Sequence, residues 1–499
     1  MFEVGEAFGL ARKDTIEPSD FHAPEGGILA LARARLGASL HPFRRQVGRA
    51  MDEGQQHLEK GALGLAESLV MGVAGTAPAY SLAATVTTLT AAVGMMAAPS
   101  LLYSGLIMFG ITLSFIHLTR VNASAGASFT WVSAYVHPLL GFLCGWTLMV
   151  ASAVFMVAGS LPAATATLAG LAPAHLQSPV WVTAVAAAWL LLVGVVVLKG
   201  IKATSYTQVT FTVIEVGSLL AILIAAWRQP AVVPGHVFSW AVFAPSSFHA
   251  GQFVTGALIA LFFFWGWDVT LNLNEETAAA ETSAGKALSL AMFITLLLYV
   301  AFTAACQHVL SDAELQAAGT DVIYVMATHL FPAPWSYLAL IAVTLSTVGN
   351  LETSILQFTR TLFAKSRSGV LPAHYALLHR QWRTPWLATV LIVALGLVFL
   401  ALAASFPSVN LIVKDSVDAI GFQVCFYYSL TAWACVRRFW GEVQGLRAIL
   451  LTLVWPAASG LFLVYIGVTQ LPQFDRVTMV LALGGILVGL LPWWWYQRR

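Results

Sequence analysis

The sequence predicts an all-α polytopic membrane protein of about twelve transmembrane helices. Three observations predict it. Of 499 residues, 59% are hydrophobic and 10% charged, where a soluble domain carries about 25% charged residues. Apolar stretches of spanning length follow one another to the C-terminus with no soluble domain between them. The first and the sixth of these stretches are interrupted near their middles by glycine, proline or a carboxylate.

Taken in order, residues 1–60 are polar apart from a short apolar patch near Gly26–Leu31. They read as a cytoplasmic tail rather than a cleaved signal peptide, with a short interfacial helix around Phe43–Lys60. The spanning stretches fall near 64–93, 98–119, 138–163, 178–198, 204–227, 251–279, 284–310, 334–362, 385–405, 410–436, 447–469 and 475–496. If each crosses, Arg120, Lys199, Lys202, Lys286, Lys365, Arg367, Arg380, Arg383, Arg437, Arg438, Arg447, Arg498 and Arg499 share a side with the basic N-terminal tail. The other side keeps little beyond Arg228 and Arg476, with Lys414 in or near a span. This asymmetry places both termini in the cytoplasm. The net charge of +2 and the absence of a base-reading cluster point away from nucleic acid. Cys144, Cys306, Cys425 and Cys435 lie in apolar stretches without metal-ligand spacing and read as small packed hydrophobes.

The first interruption is Gly72 to Tyr80, containing Gly75, Thr76, Ala77 and Pro78. Proline removes a donor and clashes with the preceding turn, and the glycines permit close approach and unusual φ. Broken backbone at mid-membrane depth survives only where it is buried in protein or lines a cavity. The N–H groups that open a half-helix suit an anionic group. A proline kink with tight helix packing explains the same residues. The second interruption is Phe262 to Asp268, where Gly266 and Asp268 break an aromatic run. Paired interruptions at corresponding positions of two halves mark a midplane substrate site.

At this point the chain resembles the amino acid–polyamine–organocation transporter superfamily. Gly72-x-x-Gly75-Thr76-Ala77 is similar to the glycine-rich break of its first helix. Ala125 to Trp131 with His137 to Trp146 resembles its entry into helix three, and Gly200-Ile201-Lys202 the start of helix five. Phe264 to Asp268 with Asn274-Glu275-Glu276 resembles helix six, and Arg360 to Pro372 the loop after helix eight. The resemblance implies an inverted five-plus-five (5+5) repeat with broken helices one and six, and secondary transport by alternating access. The domains expected are a tail over 1–60, repeats over 61–230 and 231–438, and two further helices over 439–499. There are departures. Ala77 and Pro78 replace the usual second glycine and its neighbour, and Ser368 stands where an aspartate is usual. Counting from Gly200, some amino acid transporters of the superfamily carry a lysine where this chain has Glu215. That lysine stands in for a coupling sodium, so the sign is reversed here.

Several residues are candidates for the chemistry. Glu215 lies mid-helix in an apolar stretch, where a carboxylate is costly unless protonated, paired or wet. It reads as the coupling site that binds a proton, as a partner of a substrate ammonium, or as a permanently neutral acid bonded to a neighbouring helix. Asp268 either senses a substrate amine or caps the second half of helix six. Glu275 and Glu276 read as gate or loop contacts. Phe262 and Trp265 are gate candidates that could close on a cationic head group, although aromatic runs in membrane helices are usually packing. Asn350, Glu352, Thr353 and Ser354 form a polar patch that reads as an ion or gate site or as ordinary interhelical bonding. Lys414 and Asp418 are one turn apart and expected to pair. Arg360 and Arg367 are expected at lipid head groups.

The substrate-binding set is therefore Ala74, Gly75, Thr76, Ala77, Phe262, Trp265 and Asp268, with a substrate carboxylate meeting the amides of Gly75, Thr76 and Ala77. The function expected is a proton-coupled (alternatively sodium-coupled) plasma-membrane permease for an amino acid or small amine, working as a monomer without cofactor or metal. The alternatives are an exchanger for polyamines or other organic cations, and a non-transporting membrane sensor on the same scaffold. No Ser-His-Asp set, nucleotide loop or metal motif appears, so an enzyme is not expected.

Overall fold

The computed structural model describes residues 57–176, 178–230, 239–404 and 409–498. The expected interfacial helix and nearly all of the 1–60 tail lie outside the described residues. The described residues form helices and no strand, with one isolated bridge between Leu63 and Thr277. Among them, ten helices are long and apolar enough to cross a membrane. The protein is an all-α polytopic membrane protein.

The elements in order are α1 (Leu65–Thr76), α2 (Pro78–Val93), α3 (Ala97–Val121), α4 (Ser128–Tyr135), α5 (Pro138–Leu171), α6 (Pro179–Leu198) and α7 (Ile201–Arg228). Then come α8 (Ala250–Phe263), α9 (Val269–Asn272), α10 (Ala280–Val309), α11 (Asp312–Ala318), α12 (Val322–Leu330) and α13 (Leu338–Arg367). The chain ends with α14 (Trp386–Ala403), α15 (Val409–Phe439), α16 (Leu446–Ile449), α17 (Trp455–Gln470), α18 (Arg476–Met479), α19 (Gly485–Val488) and α20 (Leu490–Gln497). Single π turns, Leu450–Val454 and Val480–Gly484, run between α16 and α17 and between α18 and α19. The continuous apolar segment Leu65–Val121 has 57 residues, about 85 Å of helix at 1.5 Å per residue. That is far more than one crossing of a ~30 Å core, and it turns at Gly94–Met96.

Both expected interruptions are present. α1 stops at Thr76, Ala77 sits in the left-handed region at φ 44°, and Pro78 opens α2 at its first position. Proline is tolerated there because that N–H has no intrahelical partner anyway. The left-handed residue is an alanine, a conformation that costs an L-residue about 1–2 kcal/mol. Gly72 and Gly75 are helical and provide closeness instead. A Cβ on Gly75 would run into the carbonyl of Gly266, and one on Gly266 would run into the carbonyl of Gly75. Gly266 has φ 96° and separates α8 from α9. The two breaks therefore pack backbone against backbone.

Long α13 lies along α5 and α7, and α10 lies along α3 and α1. α6, α7 and α14 turn Leu191, Leu192, Ile224, Val398 and Leu402 outward, as helices bordering lipid do. The four cysteines are buried and free.

Close approach at the breaks gives a test. Gly75→Ala and Gly266→Ala should each destabilise the detergent-solubilised protein by about 2 kcal/mol or more, because backbone must shift. Gly217→Ala, on α7 with nothing within 4 Å of its Cβ position, should leave thermal unfolding unchanged.

Candidate functional site

A half-helix that starts inside a membrane has N–H groups to satisfy. Ala77 N–H bonds back to the Ala74 carbonyl at 3.0 Å, and Pro78 has none. The donors left over are Ala79 and Tyr80. Ala79 N–H donates to Glu215 Oε1 at 3.0 Å, and Tyr80 N–H donates to Ser346 Oγ at 3.1 Å. Glu215 of α7, 1% exposed, therefore lies on the positive end of α2, where a negative group is favoured. The Thr76 carbonyl accepts from Tyr299 at 2.9 Å and from Ser81 Oγ at 2.7 Å, and Thr76 Oγ1 donates to the Val73 carbonyl at 2.7 Å.

This corrects the expected anion pocket. Ala74, Gly75, Thr76 and Ala77 are all buried at the break, but their amides are not the ones it releases. The released donors lie two and three residues further on, and side chains of α7 and α13 already hold them.

Asp268 is 2% exposed and does not cap α9: it makes no side-chain cap bond. Its carboxylate instead accepts from Gln357 Nε2 at 2.9 Å, Tyr427 OH at 3.1 Å and Tyr428 OH at 3.0 Å. Tyr427 OH in turn accepts from Trp265 Nε1 at 3.0 Å. The Trp265 ring meets Phe155 edge-on at 5.5 Å between centroids, and Phe155 meets Tyr80 at 5.9 Å. Trp265 and Asp268 thus belong to one network joining the α8–α9 break, α13 and α15. The Phe262 side chain lies outside the described residues.

One end of the bundle is sealed by charge. Arg360 makes two parallel bonds to Glu276, at 3.0 Å and 2.8 Å, with both side chains at most 1% exposed. Arg367 grips Glu275 in the same way. Asn272 Nδ2 donates to the Ala125 carbonyl at 3.0 Å and Thr361 Oγ1 at 3.1 Å, and Ala125 N–H donates to Glu275 at 3.0 Å. Leu63 N–H and the Glu276 carbonyl close the strip at 3.0 Å. Arg360 and Arg367 are therefore interior clamps rather than lipid anchors. Paired glutamates this close in sequence left no way to choose their partners without the fold.

Toward the opposite end opens a cavity of about 850 Å³, with Tyr80, Leu161 and Ile259 on its wall and Asp321, Lys414 and Asp418 among its polar lining. Lys414 and Asp418 pair at 2.9 Å, as their spacing predicts. Partial burial pushes the Asp321 carboxyl above its ordinary range. Asn350, Thr353 and Ser354 bond mainly to one another: Thr353 Oγ1 donates to Asn350 Oδ1 at 3.2 Å, and Ser354 Oγ donates to the same oxygen at 3.5 Å. Glu352 stands apart, buried with both oxygens unpartnered. Sequence reasoning missed Ser346, Gln357, Tyr427 and Tyr428. A serine, a glutamine or a tyrosine in an apolar helix carries no signal until its neighbour is known. The side chains at the two breaks can hold a proton and present oxygens to a cation. Among the described residues no group of His, Cys, Asp and Glu gathers as a metal site.

The chain matches the amino acid permease family over residues 63–490. It is 23% identical over 334 residues to the low-affinity putrescine importer PlaP of Escherichia coli K12, covering 66% of this chain and 70% of that one. It is 24% identical over 311 residues to the serine/threonine exchanger SteT of Bacillus subtilis, covering 60% and 67%. It is 27% identical over 301 residues to the branched-chain amino acid permease BcaP of Bacillus subtilis, covering 56% and 61%.

The buried clamp makes a prediction. Arg360→Met leaves Glu276 as an unpaired interior charge and should cost about 3–5 kcal/mol. Adding Glu276→Met removes the stranded charge and should recover most of that loss. Thermal unfolding of both variants in detergent measures it.

Proposed function

This chain belongs to the amino acid permease family, and from that premise we propose that it is a secondary transporter carrying an amino acid or related small amine across the plasma membrane by alternating access, driven by protons. The observation that supports this best is the pair of breaks packed against each other, with the carboxylates of Glu215 and Asp268 at their edges. Backbone that is interrupted at mid-depth and flanked by acids is where transporters of this build hold substrate and coupling ion. The layout proposed is twelve helices: repeats over 61–230 and 231–438, two further helices over 439–499, and a tail over 1–60. The Lys and Arg distribution supports cytoplasmic termini. The sealed end at Arg360 and Arg367 then faces the cytoplasm, and the cavity faces outward.

In the mechanism, substrate enters the cavity toward Tyr80, Trp265 and the broken helices. Glu215 takes up a proton from the open side. Transfer requires α9 and its Glu275–Glu276 extension to leave α13, which opens the Arg360 and Arg367 clamps. Glu215 then releases its proton to the other side, and the clamps re-form on the empty carrier.

One observation favours the second reading, an exchanger for polyamines or other organic cations. The anion position at the start of α2 is held by the protein's own Glu215, so a substrate without a carboxylate meets no competitor there. The names of relatives, a putrescine importer and a serine/threonine exchanger, support amine and amino acid alike.

Two expected outcomes test the proposal. A tag on either terminus should be inaccessible from outside intact cells; labelling from outside sinks the orientation. In liposomes, Glu215→Gln keeps its shape but cannot ionise. It should lose proton-gradient-driven accumulation while counterflow, with substrate on both sides, persists. Accumulation at the wild-type level in the variant rules out the proton role. Loss of binding and counterflow together instead puts Glu215 on the substrate's ammonium.

A further inference from the structure

α7 is inverted relative to a helix of a soluble protein. Its outward face carries Val213, Ile214, Leu220 and Ile224. Its buried face carries Thr204, Gln208, Thr212 and Glu215, spaced so that all four share one side at 3.6 residues per turn. α7 packs along α13 as well as against α1 and α10. Glu215 and Ser346 meet at the start of α2. Two turns before Glu215 on α7 and about one turn after Ser346 on α13, the Gln208 amide lies on Gly349, where a Cβ would come within 2.6 Å of Gln208 Nε2. Glu352 follows Gly349 by three residues, one turn deeper on a neighbouring part of the helix surface.

Packing does not explain this seam. Gln208 Oε1, Thr212 Oγ1 and both oxygens of Glu352 are buried and have no hydrogen-bond partner. Each orphaned oxygen costs about 1–3 kcal/mol, and an unpaired buried charge costs several more. Thr204, on the same stripe, needs no partner beyond its own helix, since its hydroxyl bonds the Gly200 carbonyl at 3.0 Å. Unpartnered buried oxygens occur elsewhere among the described residues too, but these four stand within about two helical turns of Glu215 or Gly349, and buried polar groups without a protein partner mark a place where water belongs.

Nor does any neighbour supply a counter-charge for Glu352. α6, α9 and α14, which also pack on α13, contain no titratable residue. α5 contributes only Cys144, whose thiol points to the Tyr427 carbonyl. α7 offers Glu215, with Lys202, Tyr206 and Arg228 off the stripe or near the helix ends, and α1 and α2 offer Glu67 and Tyr80. α12 offers Tyr324 and His329, and His329 lies 3.3 Å from Glu314. The short turns at the two ends of α13 bring Tyr337, His374 and Tyr375. Arg360, Lys365 and Arg367 of α13 itself are held by Glu276, the Phe142 carbonyl and Glu275.

We infer that the α7–α13 seam is a hydrated proton path in which Glu352 is a second protonatable site, in series with Glu215. The step is a simple exchange: a hydrated proton adds to the Glu352 carboxylate to give the neutral acid and leaves again to water. Water held by Thr212 Oγ1 and Gln208 Oε1 bridges to Glu215 at one end, and the path leads toward the sealed face at the other. The inference rests on Glu215 being the coupling site for its place in transport, but not for its hydration.

Infrared spectroscopy of the full chain in liposomes tests it without a substrate. Wild type should show the carbonyl stretch of a protonated carboxyl that Glu352→Gln lacks, and the band should shift promptly when H2O is replaced by D2O. Gln208→Leu with Thr212→Val should slow that shift by about tenfold or more while leaving the band in place, since the water's partners are gone. A Glu352 band that stays unshifted for hours in wild type, or no such band, overturns the inference. Loss of the band on adding sodium at constant pH overturns it in favour of a sodium site. In transport, Glu352→Gln should reduce gradient-driven accumulation by about tenfold with counterflow retained; unchanged accumulation also overturns it. If Glu352→Gln does not fold, the Gln208 and Thr212 variant still decides the exchange arm. If wild type transports nothing, the transporter reading fails and the exchange arm stands alone.

Discussion

Breaking a helix where there is no water obliges the protein to supply the missing hydrogen bonds itself, and most of this structure follows from that demand. The bond from Ala79 N–H to Glu215 and the bond from Tyr80 N–H to Ser346 answer it for the first break. They tie the start of α2 to α7 and α13, helices far away in sequence. Because one of the partners is a carboxylate, the repair of the backbone brings an ionisable group to mid-depth. The second break is served by α13 and α15 through Asp268. The structural requirement and the chemical opportunity share the same atoms.

The two ends of the bundle obey different electrostatics. At the sealed end, two arginines meet two glutamates with little or no water, and desolvation offsets much of their attraction. Such pairs add less to net stability than their geometry suggests, but they fix which surfaces meet. Bidentate guanidinium–carboxylate contacts tolerate little misalignment, so α9 and its extension dock on α13 in one register. At the cavity end, Lys414 and Asp418 pair where solvent reaches them, and that contact is weak. The closed end is therefore specific and the open end is soft.

The fold was largely legible. Helices in lipid must be apolar for about 20 residues, which leaves a pattern that one sequence displays. The first break was legible because proline in mid-span cannot continue the backbone ladder, and Glu215 because an acid at that depth is costly unless something answers it. The partners were not. The sequence places Arg360 and Arg367 in a basic loop motif, and only the fold shows that they turn inward to Glu276 and Glu275. Asp268 resembled a cap because it stands just before a helix, yet Gln357, Tyr427 and Tyr428 satisfy it from 89 to 160 residues away. The amides at Gly75 to Ala77 are not the free ones because the first half-helix runs on through Thr76 and the next opens only at Pro78, so the unpaired donors are those that follow the proline.

The hydroxyls of Tyr427 and Tyr428 reach the two different oxygens of Asp268. Adjacent residues on a helix leave it about 100° apart, so the carboxylate is grasped from two sides of the same rod. Rolling α15 about its own axis in either direction lengthens one bond as it shortens the other. A rod held in this way keeps its freedom to tilt about the carboxylate but loses its freedom to spin. In this conformation, the two hydroxyls therefore resist a spin of α15 more than a tilt of it.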